Sequence, residues 1–453
     1  MLLDLFLATP DPAKVAAVAA DTIWVVVAAL LVMFMQAGFA MLEVGFSRMK
    51  NVGTVVAKVL VNFGISSLVY WAVGFGLAFG VAAGWLFPII GGSVFFPTFS
   101  PGSTLNLPAM AGSTAPAAAK FLFQFVFCAV SLAIVWGTML ERTKFIVYIL
   151  FAIPFAALIY PLVSHQLFGG GFLQATLGAQ DFAGSTVVHL TGATAALAGL
   201  LLLGPRIGKY EHGQTNAIPG HSMPLAQLGV LILWFGWFGF NAGSTLNATG
   251  LHFADVAVTT QLAAAAGAVA ALAVSYLVSR TLDVSMIGNG AIAALVAITA
   301  PSGYVEPWAA IIIGAVAGVI VVLAIPLIDR RLDDPVGCLS AHGLAGIWGT
   351  LSCGLFTTPA LAAFNGVGKG GLFYTGSLYQ LGAQAVAVVA SATVVFGLSY
   401  AVFWGIKKTV GLRVSPAEEI EGLDISEHGM WGYPEAFMPV PGGVYRPSST
   451  HTS

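Results

Sequence analysis

Four ionisable side chains lie in stretches of the sequence that are otherwise apolar: Glu43, Asp181, His189 and His342. An ionisable group is costly inside hydrocarbon, so each of the four is a candidate functional residue. The segments around the two histidines, VVHLTGATAALAGL and SAHGLAGIWGTLSCG, are similar, because small residues follow each histidine at about helical spacing. This similarity predicts that the two histidines occupy equivalent places in two halves of the protein.

A pair of histidines in an apolar pore would suit a small polar molecule. A neutral imidazole both donates and accepts a hydrogen bond, so two rings would guide ammonia or water without presenting charge. A permanently charged ion would meet a steep barrier in the same pore. Two alternatives stay open on spacing alone: a lone core histidine bonded to a backbone carbonyl, and a metal site. A metal site needs three or four ligands, and no carboxylate or thiolate has suitable spacing.

The two acidic residues are expected to differ in role. Asp181 opens the run DFAGST, and we expect its carboxylate to cap the following helix near Ala183 and Gly184. As a buried anion it would also attract a cation to the mouth of a pore. Glu43 is expected to have a structural role and to pair with a polar group of another helix.

Aromatic residues concentrate in three short segments and form the other candidate site. They are Phe123 and Phe127 beside Gln124, Phe168 before three glycines, and Trp237 and Phe240 before Ser244. Any one of them is ordinarily an aromatic that faces lipid or the membrane interface. If they converge on one vestibule, they would bind a small cation by cation–π contact, and the hydroxyl of Ser244 would accept one hydrogen bond.

The composition identifies the solvent in which these groups must work. The chain has 453 residues, of which 58% are hydrophobic and 8% charged, and its mean hydropathy is +0.91. An average soluble chain has about 25% charged residues, so most of this chain must face lipid. A net charge of −2 excludes a nucleic-acid-binding surface. Cys128, Cys338 and Cys353 lack the spacing of a metal site or disulfide framework and are expected to be core residues.

Eleven stretches are apolar and long enough to span a membrane, which takes about 20 residues. They run 23–47, 54–83, 119–140, 144–165, 182–204, 224–246, 254–279, 284–301, 307–328, 339–358 and 375–407. Alternate connections are basic, and the others contain only Lys369. The basic connections contain Arg48, Lys50, Arg142, Lys144, Arg206, Lys209, Arg280, Arg330, Arg331, Lys407, Lys408 and Arg413. Cytoplasmic connections collect Lys and Arg, so we expect an external N-terminus and a cytoplasmic C-terminus.

The sequence therefore predicts an all-α integral membrane protein with eleven transmembrane helices. We expect an external segment at 1–22, which is not a cleaved signal peptide, a membrane domain at 23–407 and a cytoplasmic tail at 408–453. His189 falls in the fifth span and His342 in the tenth. Two halves of five spans would be inverted repeats with the site between them, followed by a long eleventh helix.

The most specific segments of the chain resemble the ammonium transporter (Amt/Mep/Rh) family, and its Amt branch in particular. The similarity extends from about residue 22 to 436. Its motifs are QAGFAMLEVG, SRMKN, DFAGSTVVHLTGATAALAGLLLLGPR, FGWFGFNAGS, DDPVGCLSAHGLAGIWG and the tail sequence GLRVSPAEEIEGLDISEHGMWGYPEAF. The Rh branch usually lacks the full aromatic set and this tail signature.

The resemblance implies a role for each candidate residue in a homotrimer with one pore per subunit. It implies that His189 and His342 are the twin histidines of the pore, and that Phe127 and Phe240 form the gate above them. It further implies an external ammonium recruitment site of Phe123, Phe168, Ser244 and Asp181, with Trp237 lining the pore. Many family members have Trp where this chain has Phe168, and Phe binds a cation less well.

The resemblance also implies the substrate, the mechanism and the partners. The protein would recruit ammonium, or methylammonium as an analogue, deprotonate it and conduct ammonia across the plasma or inner membrane for nitrogen uptake, without a cofactor. Net charge movement and passive ammonia flux are both open. The tail would pack under neighbouring subunits and dock a PII-type regulatory protein. A membrane sensor is the alternative, although 408–453 is too short for a signalling domain; an enzyme lacks a catalytic set.

Overall fold

The structure is a computed structural model, and it describes residues 11–81, 84, 87–100 and 105–437. Parts of the predicted N-terminal segment 1–22 and of the predicted tail 408–453 lie outside these described residues. The described chain is predominantly helical, as the composition predicts.

Eleven apolar helices follow one another along the described chain, and each matches one predicted span in order. We number them α1 Pro12–Phe46, α2 Met49–Phe79, α3 Ala117–Met139, α4 Phe145–Ala175, α5 Ser185–Leu203, α6 Met223–Ala242, α7 His252–Ser279, α8 Val284–Thr299, α9 Pro307–Asp329, α10 Leu339–Phe356 and α11 Tyr379–Thr409. Nine are long enough to cross a membrane, α8 has 16 residues, and α10 bends by 110° into the short helix Pro359–Asn365. These helices are compatible with the eleven spans that the sequence predicts.

The predicted spans differ from the helices mainly at their ends. Helix α1 begins at Pro12, well before residue 23, because Asp11 caps it and a proline occupies its first position. Helix α11 has 31 residues, about 46 Å at 1.5 Å per residue, and so exceeds the hydrocarbon thickness of a bilayer.

The remaining elements of the described chain are short. A 3-10 turn occupies Pro108–Met110, a helical turn Leu372–Thr375, and a hairpin pairs β1 Tyr210–Glu211 with β2 Gln214–Thr215, with Tyr210 opposite Thr215. The tail forms three helices, Pro416–Glu421, Leu423–His428 and Pro434–Phe437.

The tail defines one face of the protein. Asp424 accepts the backbone N–H groups of Gly53 and Thr54, both at 2.9 Å, and so caps the first turns of α2. Glu419 forms an ion pair with Arg413 at 2.7 Å and accepts the N–H of Ile207. We call this side the tail face. Helix α2 leads away from it, so the connecting residues 87–100 and 105–116 lie on the opposite side, which we call the loop face.

Glycines let the helix backbones approach closely. A Cβ atom on Gly45 of α1 would lie 2.3 Å from the backbone nitrogen of Ala226 in α6, and one on Gly229 of α6 would lie 2.3 Å from that of Leu42. Such contacts exclude any side chain, and small residues at helix crossings are the usual basis of packing in lipid. Helices α1 and α6 therefore form a tightly packed wall of the bundle.

Five π-helical turns interrupt the long helices. They are Tyr70–Gly74, Phe155–Ile159, Ser185–Leu190, Phe238–Ala242 and Leu339–Leu344. Three of them contain a predicted site residue, namely His189, Phe240 and His342. A π-helical turn shifts the register of a helix by part of a turn and is frequent at functional sites. Both α5 and α10 begin with such a turn.

Candidate functional site

The two predicted histidines meet in the interior of the protein. Nδ1 of His189 lies 3.2 Å from Nδ1 of His342, and the rings are nearly parallel, with an angle of 9° and 5.3 Å between centroids. One Nδ1 atom must donate and the other must accept, so the contact fits two neutral rings with one N–H between them. This geometry favours a pair over two lone histidines that are each bonded to a carbonyl. Among the described residues, no group of three or more His, Cys, Asp or Glu side chains could hold a metal ion.

Helices α5 and α10 position these histidines in the same way. Asp181 precedes His189 by eight residues, and Asp334 precedes His342 by eight. The carboxylate of Asp181 accepts four backbone N–H groups, those of residues 184–187, at 2.8 to 3.0 Å. The carboxylate of Asp334 accepts the N–H groups of residues 338 and 339, at 3.0 and 2.7 Å. Each aspartate therefore caps the helix whose first turns carry a histidine.

Asp334 is a site residue that was not predicted from the sequence. Its signal was present as the spacing Asp-x7-His, which occurs at 181–189 and again at 334–342. The adjacent Asp333 obscured it, because the run DDP does not show which carboxylate enters the protein. The repeated spacing and the repeated capping support the predicted relation between the two halves.

Two stacked phenylalanines lie beside the histidine pair. The rings of Phe127 in α3 and Phe240 in α6 are 4.0 Å apart at an angle of 21°. Phe240 also contacts His189, with 5.5 Å between ring centroids. Both phenylalanines are at most 1% exposed. This is the place that the resemblance implies for the gate.

Trp237 supports the ring of His189 from the same helix as Phe240. Its indole lies 5.2 Å from the imidazole at an angle of 15°, and its Nε1 donates to Oγ1 of Thr299 at 2.9 Å. The hydrogen bond to Thr299 in α8 fixes the indole plane. Trp237 therefore packs against the ring of His189, and its predicted role as a pore-lining residue stays a prediction.

A cavity of about 420 Å³ opens beyond the gate towards the loop face, and we call it the vestibule. The four residues of the predicted recruitment site, Phe123, Phe168, Ser244 and Asp181, all line it, together with Phe127. The structure thus brings together aromatic residues that are far apart in the sequence. The face of an aromatic ring attracts a cation, so the vestibule has the composition of a small-cation site.

The polar groups of the vestibule differ in what they can offer a ligand. The hydroxyl of Ser244 donates to the backbone oxygen of Phe240 at 2.8 Å, which leaves its oxygen able to accept from a cation. Both carboxylate oxygens of Asp181 are occupied by backbone N–H groups, and the residue is only 5% exposed. The arrangement matches the expected helix cap, so Asp181 contributes its charge to the vestibule rather than a free ligand atom.

Two smaller cavities continue from the histidines towards the tail face. The first, which we call the middle cavity, has about 20 Å³ and is lined by His342, Glu43, Cys338, Asn289 and Val336, among others. The second, the tail-side cavity, has about 210 Å³ and shares Asn289 and Val336 with the first. Shared lining residues and ring contacts therefore connect the vestibule, the two phenylalanines, the histidines and these two cavities in series.

A buried cluster of charges surrounds the tail-side cavity. Arg206 binds the carboxylate of Asp333 through Nε at 2.9 Å and Nη2 at 2.8 Å, and it also contacts Glu141. Burial alone would raise the pKa of Asp333, but the hydrogen bond from Arg206 and the charges of Arg142 and Arg206 lower this pKa to about 2. The cluster fixes Arg206 where it lines the cavity mouth.

The fold and these cavities define a multi-pass helical membrane protein with a candidate pore. A profile of the Ammonium Transporter Family matches residues 23–433. The chain is 44% identical to Ammonium transporter Amt2 of Archaeoglobus fulgidus over 427 residues, which cover 91% of this chain and 88% of that protein. It is 34% identical to Ammonium transporter 1 member 3 of Solanum lycopersicum, with 91% and 93% covered.

Solved structures agree with these relatives. A structure named Sensor Amt Protein superposes with a TM-score of 0.81 at 36% identity and covers 91% of this chain and 99% of that one. Candida albicans Mep2 superposes with a TM-score of 0.81 at 28% identity, with 93% and 92% covered. The chain belongs to the Ammonium Transporter Family, whose members are transporters and not enzymes.

Proposed function

We propose that this chain recruits ammonium in the vestibule, removes a proton from it and conducts ammonia past the histidine pair, with net movement of charge. One observation carries the proposal: two buried imidazoles, 3.2 Å apart, lie directly behind a closed aromatic gate at the base of an aromatic vestibule. The vestibule suits a cation, whereas the region behind the gate suits a neutral molecule.

Recruitment uses the aromatic faces and one hydroxyl. Phe123, Phe127 and Phe168 replace part of the water around ammonium by cation–π contacts, and the Ser244 oxygen accepts one N–H. The buried charge of Asp181 adds a long-range attraction. The aromatic faces replace only part of the water around ammonium, so the vestibule binds ammonium weakly enough to release it.

Deprotonation follows from the apolar gate. A charged ion pays a large desolvation cost between Phe127 and Phe240, whereas ammonia does not. Neutral His189 accepts a hydrogen bond from ammonia through one ring nitrogen. The ammonia molecule then moves on to His342. The proton moves separately along the imidazoles, so that one charge crosses for each ammonia.

The membrane and the assembly belong to the same proposal. The tail face is cytoplasmic and the loop face external, in agreement with the basic connections of the tail face. The protein resides in the plasma or inner membrane as a homotrimer and serves nitrogen uptake. The tail helices couple the pores and offer a docking surface to a PII-type regulatory protein.

Current and ammonia entry on the same proteoliposomes test this mechanism. An ammonium pulse is expected to give a transient current, and a pH-sensitive dye inside the vesicles reports ammonia entry. Ammonia entry without any current would reject charge movement and leave passive conduction. Replacing His189 or His342 by Ala removes one hydrogen-bonding station and should abolish or alter flux while the protein still folds. Unchanged flux and selectivity in both variants would reject the imidazole route.

A sensing role is the second candidate, because a similar structure carries the name Sensor Amt Protein. A sensor that binds ammonium without moving it would give neither current nor ammonia entry in the same vesicles, although the vestibule would still bind ammonium. The flux measurement therefore separates the two roles directly.

A further inference from the structure

A buried ion pair joins α1 to α2 beside the pore. The carboxylate of Glu43 contacts the ammonium group of Lys58, and the two residues are 2% and 0% exposed. A buried ion pair pays a desolvation cost for both charges and recovers it only when further hydrogen bonds satisfy the remaining valences. Hydrogen bonds to other protein groups therefore distinguish a purely structural ion pair from one with a further role.

The structural charge cluster at the tail face provides the comparison within the same chain. Arg142 donates to the backbone oxygens of Gly204, Leu140 and Thr138 at 2.8 to 2.9 Å, in addition to its contact with Asp333. Its valences are filled by protein atoms, as a purely structural ion needs.

Glu43 and Lys58 lack such partners. Among the described residues, neither Oε2 of Glu43 nor Nζ of Lys58 has a hydrogen-bond partner in addition to their mutual contact. Nζ of Lys58 also lies over the ring of Tyr148, 5.9 Å from its centroid, and of the two residues only Glu43 lines a cavity of the candidate pore, the middle cavity. Buried ions with free valences inside a membrane indicate function rather than stabilisation.

The Glu43 carboxylate lies next to the middle cavity. Glu43 and His342 both line this cavity of about 20 Å³. A cavity of 10 to 15 Å³ of this kind is the smallest that holds a water, so the middle cavity has room for about one water or ammonia molecule. Asn289 and Val336 connect it with the tail-side cavity.

We propose that Glu43 is a proton station of the pore between His342 and the tail-side cavity, and that Lys58 is the positioning residue that keeps its carboxylate in place. This inference rests on the proposed electrogenic transport. It gives the proton a route on the tail side of the histidines, through the Glu43 carboxylate that lines the middle cavity together with His342.

The proton balance has two steps. The histidine pair, which has received the proton that ammonium gave up at the vestibule side of the gate, passes one proton through a single molecule in the middle cavity to the Glu43 carboxylate, which becomes a neutral carboxylic acid. The acid then returns this proton to an ammonia molecule that has reached the tail-side cavity, and the carboxylate and ammonium form again. One ammonium has crossed, and Glu43 and the histidines end in their starting states.

The variant Glu43→Gln tests the station because it keeps the size of the side chain and its hydrogen bonding but cannot carry a proton at neutral pH. Current after an ammonium pulse and ammonia entry at high pH are measured on the same vesicles. We expect the ratio of current to ammonia entry to fall about tenfold or more, in line with the loss of a positioned proton-transfer group. A merely structural role would lower both quantities together.

A second variant guards against misfolding. Glu43→Gln leaves Lys58 unpaired, so the double variant Glu43→Gln with Lys58→Gln removes both charges and still lacks the carboxylate; it should show the same fall in the ratio. Asp21→Asn is the matched control, because Asp21 is another buried carboxylate of α1 but bonds Thr114 and Ala248 and does not line the middle cavity. It should retain the wild-type ratio.

The outcomes separate the inference from the function on which it rests. A wild-type current together with a wild-type ratio in both Glu43 variants overturns the proton station and leaves electrogenic transport intact. A parallel loss of current and ammonia entry in both variants also overturns it. A wild-type protein that admits ammonia without current overturns the proposed charge movement itself.

Discussion

The segments that carry His189 and His342 share one backbone arrangement but lie beside different cavities. In both, an aspartate eight residues before a histidine caps a helix that begins with a π-helical turn. Asp181 accepts four backbone N–H groups and borders an aromatic vestibule of about 420 Å³. Asp334 accepts two and borders a cavity of about 210 Å³ that is lined by charged residues. The repeat supplies the position of the histidines, and the neighbouring side chains are the basis on which we propose cation binding in one half and proton transfer in the other.

The largest expected effect concerns the two caps. Asp181→Ala leaves four buried N–H groups without an acceptor and should lower the free energy of unfolding by about 3 kcal/mol, whereas Asp334→Ala, with two, should cost about half as much. Unfolding in detergent with increasing dodecyl sulfate measures both. Equal losses, or a larger loss for Asp334→Ala, would show that the two caps do not differ as their hydrogen bonds indicate.

The stability of the protein in acid tests the charge cluster of Arg206 and Asp333 near the tail-side cavity. The pKa of Asp333 is about 2 in the folded protein, below its ordinary value of 3.8, so its stabilising effect is complete above about pH 4 and is lost as the pH falls towards 2. The full shift corresponds to about 2 kcal/mol. The stability difference between wild type and Asp333→Asn should be constant from pH 7 to 5 and shrink below pH 4. A difference that already shrinks near pH 6 would contradict this assignment.

The vestibule should respond to loss of the Ser244 hydroxyl, whose oxygen can accept a hydrogen bond from the cation. Ser244→Ala removes a hydrogen bond of about 1 kcal/mol and should raise the KM for methylammonium about fivefold. The matched control is Ser285→Ala, because Ser285 lines the tail-side cavity and should leave KM unchanged. If both variants change KM equally, cation recruitment is not confined to the vestibule.

The smallest expected effect concerns Phe168. Trp attracts a cation more strongly than Phe, by about 0.5 to 1 kcal/mol at a partly exposed site, so Phe168→Trp should lower the KM for methylammonium two- to fivefold. Uptake at several methylammonium concentrations measures this value. A KM that stays the same, with an unchanged maximal rate, would mean that residue 168 does not contact the recruited ion.

The sequence predicts the order of the helices because membrane spans are a matter of local composition. The weak eighth stretch became α8, with 16 residues, and the basic connections anticipated the division into two faces. The ends were less predictable: Pro12 begins α1 early because a cap and a proline outweigh the apolar boundary.

The site was predictable where a spacing repeats and not where a contact crosses helices. His189 and His342 share similar neighbours, and the aromatic residues follow from the resemblance. The partner of Glu43 could not be predicted from the sequence, because the contact with Lys58 forms only when α1 and α2 pack together. The cavities between the helices are likewise products of packing, which no single segment encodes.

We propose that ammonium loses a proton before it passes the gate formed by Phe127 and Phe240. A comparison of the currents carried by ammonium and by potassium tests this proposal. Potassium binds aromatic faces but has no proton to give. On the same reconstituted protein, at equal concentration and gradient, we predict a clear current with ammonium, a smaller one with methylammonium and none with potassium. A potassium current comparable to that of ammonium would show that intact cations cross, and it would contradict the account.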